Sequence, residues 1–165
     1  MADDADVLDP IHAKRRIDEA LEVLKSLGLP REQQNERSSH TVLALLNLQA
    51  EVDWSEASNP LCGITPMMEF FRDHYGKVYA PNTRETVRRF TIHQFMEAGL
   101  VIANPDKPAR PVNSPDTVYQ IEPDALALLR RYGSEKWDSS LGTYLESRQT
   151  LSMIHFNRER FLGPY

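Results

Sequence analysis

The stretch Asn82-Thr83-Arg84-Glu85-Thr86-Val87-Arg88-Arg89 opens a basic helix that runs on through His93 to Gly99. Arginine carries a planar fork that can grip guanine O6 and N7 together, and asparagine can pair with adenine N6 and N7. When a helix enters the DNA major groove, the residues at its N-terminal end meet the base edges. Asn82, Thr83, Arg84, Thr86, Arg88 and Arg89 lie at that end, and His93 follows on the outer side. Each also has a plainer reading. Asn82 reads as a helix cap, forming a capping box with Glu85 three residues on, and Thr83 as support for that cap. Arg84 and Arg88 read equally as solvated or paired with Glu85, and His93 as a polar surface residue.

A second set of cations follows the helix. Leu100 to Ala103 and Thr117 to Ile121 read as paired strands around a loop that holds Pro105, Pro108, Pro111 and Pro115. Those prolines exclude a helix and predict a stiff, extended wing. Lys107 and Arg110 lie among them, where cations meet phosphates or enter a narrow minor groove, or serve only solubility. Pro108 and Pro111 are expected to hold Arg110 out from the surface.

The elements that must position these residues are punctuated by proline and glycine. Asp9 and Pro10 start a helix whose face holds Ile17, Leu21 and Leu24, and Gly28 with Pro30 ends it. Arg31 to Arg37 is wholly polar and reads as a linker or exposed extension. A second helix is predicted from Ser38 or Ser39 through Ala50, apolar on much of its circumference and so central. Asp53 to Gly63 reads as a loop, and Thr65-Pro66 opens a third helix that Gly76 closes. On the fourth, basic helix an α-helical projection buries Val87, Phe90, Thr91, Gln94, Phe95 and Ala98. Glu85, Thr86, Arg89, His93 and Met96 fall opposite, with Arg84 and Arg88 on a flank. Pro123-Asp124 starts a fifth helix, and Trp137, Leu141, Tyr144 and Leu145 recur at helical spacing beyond Gly133.

This order predicts a mainly α fold with a small β-hairpin: a winged helix-turn-helix with helical extensions at both termini. The expected organisation is an N-terminal extension over 1–37, the winged domain over 38–133 and a C-terminal extension over 134–165. The whole chain carries -5, yet from Arg72 to Arg110 seven cations face four anions, a local net of +3. An acidic body with one basic face suits double-stranded DNA as partner. The single cysteine excludes an internal disulfide and fits a reducing cytoplasm, and no apolar run is long enough to span a membrane.

Catalytic and metal constellations are absent from the sequence. His12, His40, His74, His93 and His155 show no metal-ligand spacing, and no lysine has a carboxylate two positions before it, as a PD-(D/E)xK nuclease requires. No catalytic residue, metal site or cofactor is therefore predicted within these residues. The alternative is a winged helix used for protein interaction, with apolar Leu21, Leu24, Leu141 and Leu145 pairing two copies into a homodimer.

Leu43-Ala-Leu-Leu-Asn-Leu48, Tyr79-Ala-Pro-Asn-Thr-Arg-Glu-Thr-Val-Arg-Arg89, His93-Gln-Phe-Met-Glu-Ala-Gly-Leu100 and Asn104-Pro-Asp-Lys-Pro-Ala-Arg-Pro-Val-Asn-Ser-Pro115 supply a more specific signal, continued by Val118-Tyr-Gln-Ile121. In these blocks the chain resembles the N-terminal region of the BsuBI/PstI family of type II restriction endonucleases. The resemblance implies a helix-turn-helix domain that helps a Mg²⁺-dependent endonuclease recognise a short palindrome, CTGCAG in the best-known members. It places the metal-dependent nuclease domain C-terminal to this region, beginning about where the chain stops at Tyr165, so Mg²⁺ is expected only there.

Overall fold

The structure is a computed structural model that describes residues 10–148. Asp9, predicted to cap the first helix, His155 and the end of the C-terminal extension beyond 148 lie outside the described residues. Six longer helices, two short 3-10 turns (Arg31–Gln33 and Trp54–Glu56) and a two-stranded antiparallel sheet make up the described part. They are α1 (Pro10–Ser26), α2 (Glu36–Leu45), α3 (Ile64–Tyr75), α4 (Thr83–Thr86, Val87–Ile92 and His93–Glu97 in succession), α5 (Pro123–Leu129) and α6 (137–148). Strands β1 (Val101–Ala103) and β2 (Tyr119–Ile121) stand between α4 and α5, with Val101 opposite Ile121 and Ala103 opposite Tyr119. No helix among the described residues is long and apolar enough to cross a membrane.

Helix α2 occupies the centre, buried from Ser38 to Leu45. It starts earlier than predicted, because Asn35 caps it by accepting the Ser38 amide at 2.8 Å. It also stops earlier: Asn47 adopts a left-handed conformation, and the Ala50 end of the predicted helix is a turn. Around it pack Val23 and Leu24 of α1, Met67 and Phe71 of α3, Val87, Ile92 and Phe95 of α4, Ile121 of β2 and Leu129 of α5. Leu24 is thus fully buried inside one chain. Of the four leucines expected to pair two copies, Leu24 is taken up by the core, Leu21 and Leu141 are half-buried and Leu145 is exposed.

The loop over 53–63 is tied down at both ends. The Trp54 indole donates to Glu19 Oε1 at 3.0 Å, and Cys62 exchanges two backbone hydrogen bonds of 2.9 Å with Tyr119. Cys62 is thereby a one-residue third strand on the edge of β2. The sequence offers no signal for it, since a single bridged residue has no periodicity.

Candidate nucleic-acid interface

Helices α3 and α4 follow one another through the segment 76–82. Gly76 ends α3 at φ +63°, a left-handed conformation in which glycine has no Cβ to strain. The turn is held from beneath by Tyr79, whose hydroxyl meets His40 Nδ1 of α2 at 2.7 Å. The His40 ring is buried among Phe71, Tyr75 and Tyr79, with centroids 5.6–5.8 Å away. Burial lowers its pKa to about 4, because the charged ring would lose its hydration.

The start of α4 departs from the predicted capping box. Asn82 is itself helical and its side chain makes no cap hydrogen bond. Thr83 N–H is satisfied by Ala80 C=O at 2.9 Å and Glu85 N–H by Asn82 C=O at 3.2 Å, so a backbone turn takes over the cap's task. Glu85 is free to face arginines instead. Its carboxylate accepts from Arg88 Nε and Nη2 at 3.0–3.2 Å and pairs with Arg89 Nε at 3.1 Å. The hydrogen bonds from Arg88 hold its pKa below the usual carboxylate range.

The predicted helix residues share one surface but differ in availability. Arg84 is exposed with no side-chain partner among the described residues, and Arg89 is 70% exposed. Arg88 is half-buried beneath its bond to Glu85. Thr83 and Thr86 are half-buried, Asn82 is exposed, and His93 pairs with Glu97 at 2.9 Å. Exposed ion pairs of this kind are weak and open readily to a competing anion.

The middle of α4, Val87–Ile92, is a π-helical turn. Such a turn closes i→i+5 bonds and carries about one residue more than an α turn. The buried residues are Val87, Thr91, Ile92 and Phe95, whereas Phe90, predicted inside, is 58% exposed. At roughly 100° per residue an α-helix would put Phe90 beside Val87 and Ile92 across from it; the extra residue rotates Ile92 in and Phe90 out. Gln94 is only half-buried and Ala98 is exposed for the same reason. Arg37 of α2 donates from Nε to the buried Thr91 hydroxyl at 3.1 Å, which lets a polar side chain sit at this contact. Arg37 had read as linker, and only the packing of α2 on α4 brings it here.

The hairpin loop also differs from expectation. Arg110 does not project: Nη1 donates to Asn104 Oδ1 at 2.9 Å, Nη2 pairs with Asp106 at 3.2 Å, and its side chain is 16% exposed. A guanidinium brings several donors, and the Asn104 amide and Asp106 carboxylate both lie within its reach. Asn104 organises the loop. It is buried at φ +52°, its Oδ1 also accepts the Val118 amide at 3.1 Å, and its Nδ2 donates to Arg110 C=O at 3.2 Å. Thr117 closes the return by donating to the carbonyls of Pro111 and Val112. Lys107 remains exposed with no side-chain partner among the described residues. Asn104→Ala is expected to cost about 1–3 kcal/mol in stability and to open the Val118 amide to hydrogen exchange. Unchanged exchange at Val118 would mean that the prolines alone hold the loop.

Between the start of α4 and the returning limb of the loop lies a cleft of about 250 Å³, lined by Arg84, Glu85, Arg88, Asn113, Thr117 and Tyr119 among others. The fold therefore brings two predicted helix arginines together with the loop. It does not bring Lys107 or Arg110 to the same cleft.

The family model described as the BsuBI/PstI restriction endonuclease HTH domain matches residues 14–153. The chain is 58% identical over 135 residues to the type II restriction enzyme BsuBI of Bacillus subtilis, covering 82% of this chain and 43% of that enzyme. It is 40% identical over 133 residues to the type II restriction enzyme AplI of Arthrospira platensis, covering 81% and 41%. The structure of SdaI restriction endonuclease superposes with a TM-score of 0.75 at 32% identity, over 79% of this chain and 41% of that one. The chain thus spans about two-fifths of the length of these relatives.

Proposed function

Since the chain belongs to the BsuBI/PstI family of restriction endonucleases through its helix-turn-helix domain, we propose that it reads double-stranded DNA as a winged helix-turn-helix. In this reading α4 enters the major groove, and the 104–118 loop is the wing that lies against the backbone or minor groove. The observation that carries it is the N-terminal half of α4, where Arg84 and Arg88 stand beside the loop and exposed Arg89 shares Glu85 with Arg88.

Arg84 is open to an incoming duplex from the start. Arg88 and Arg89 exchange Glu85 for guanine or phosphate, and Asn82, Thr83, Thr86 and His93 supply shorter polar contacts around them. Lys107 is the wing cation that meets phosphate, while Arg110 shapes the wing through Asn104 and so presents its neighbours. No step of DNA cleavage and no Mg²⁺ ligand is assigned to the described residues in this reading.

The test is fluorescence anisotropy with a labelled CTGCAG duplex and a scrambled duplex at two salt concentrations. Arg88→Ala combined with Arg89→Ala is expected to weaken the CTGCAG complex by about 1–3 kcal/mol, or roughly 5- to 150-fold. Lys107→Ala should weaken both duplexes alike and reduce the salt dependence by about one unit of slope. Equal affinity of the parent and the double variant for both duplexes would refute the assignment.

A further inference from the structure

A large apolar side chain exposed on a helix proposed to enter the major groove calls for an apolar ligand group. Phe90 is such a residue. It is 58% exposed, it follows half-buried Thr86 by about one turn, and its immediate neighbour Arg89 is the more exposed of the two arginines that pair with Glu85. Its exposure follows from the π turn at Val87–Ile92, which puts Thr91 and Ile92 into the core in its place. An ordinary α-helix of the same sequence would bury this ring.

The floor of the major groove offers one apolar feature, the C5-methyl group of thymine, and aromatic rings are among the side chains that meet it. The other groove-edge groups there are hydrogen-bond donors and acceptors, apart from the small C5–H of cytosine. Arg89, its neighbour in the chain, is 70% exposed and fits the polyanionic backbone beside such a groove. We infer that Phe90 is a thymine reader: the π turn holds its ring outward so that it packs on a C5-methyl group in the recognised site. This rests on the reading of α4 as a major-groove helix. It adds a methyl-dependent selectivity that the arginines cannot provide, because their donors report guanine and phosphate.

The test uses the full 165-residue chain, unmodified and as Phe90→Ala, with two labelled duplexes. One contains CTGCAG; the other is identical except that deoxyuridine replaces thymine in the site, removing only the methyl group. The unmodified chain is expected to bind the thymine duplex about fourfold more tightly, the worth of one buried methyl. Phe90→Ala should lose at least that factor on thymine and show no preference between the duplexes. Far-UV circular dichroism checks that the variant is folded, as its exposure predicts.

Indifference of the unmodified chain to deoxyuridine overturns the inference while leaving DNA reading intact. A Phe90→Ala variant that keeps the thymine preference overturns it as well. So does one with unchanged titrations but a smaller solution mass, which would assign the ring to a contact between copies. Failure of the unmodified chain to bind any duplex would remove both readings together.

Discussion

Ile92→Ala is expected to cost the fold about 2–5 kcal/mol, while Phe90→Ala costs less than about 1 kcal/mol. The order is informative because an α-helical register demands the reverse. Ile92 is 1% exposed and packs with Val87 and Phe95 against the core, so alanine there leaves a cavity whose walls collapse only partly. Phe90 stands largely in water, and truncating it removes little packing. Urea unfolding reads the difference as a shift of midpoint at constant slope. A Phe90→Ala loss larger than that of Ile92→Ala would return the helix to an uninterrupted α register and remove the reason for the ring's exposure.

Acid should weaken the protein earlier than its carboxylates alone would. His40 is neutral in the folded chain, with a pKa lowered to about 4 by burial, against an ordinary value of 6.5. Below pH 6.5 the unfolded chain takes up a proton that the folded chain refuses, so this contribution is fully present above pH 6.5. It is lost as the pH falls toward 4, by about 3 kcal/mol in all and about 2 kcal/mol by pH 5. Most carboxylates titrate lower, which leaves the interval from pH 7 to 5 largely to histidine. The expected result is a urea midpoint that drops across that interval, and a His40→Asn variant, whatever its starting stability, in which the drop is flattened. An equal drop in parent and variant would locate the proton uptake elsewhere. The consequence reaches the interface, because His40 meets the Tyr79 hydroxyl of the turn that aims α4.

Much of the architecture was legible residue by residue. Gly76, Gly99 and Pro123 mark boundaries that the structure keeps within a residue or two, and the prolines from Pro105 to Pro115 delimit the hairpin loop. These signals act through backbone sterics inside a few residues, so they survive whatever packs on them. The family was legible for a related reason: the block from Tyr79 to Pro115 is long, and its glycine, proline and arginine pattern is specific.

The departures share another cause. Asn82 has the side chain of a cap, but the turn from Ala80 satisfies the same amides first, and Glu85 then answers to Arg88 and Arg89. Arg110 sits between prolines, yet Asn104 and Asp106 reach its guanidinium and fold it back.

Local chemistry along the chain was enough to establish a mainly helical fold with a hairpin, those element ends that glycine or proline marks, the basic stretch and the family. Tertiary packing decided the helical pitch of α4, the outward turn of Phe90, the approach of Arg37 to Thr91 and the availability of each arginine. Caps, prolines and glycines act over one turn and can be read in place. Pitch and side-chain partnership are set by residues dozens of positions apart, through a core whose dense packing admits few arrangements.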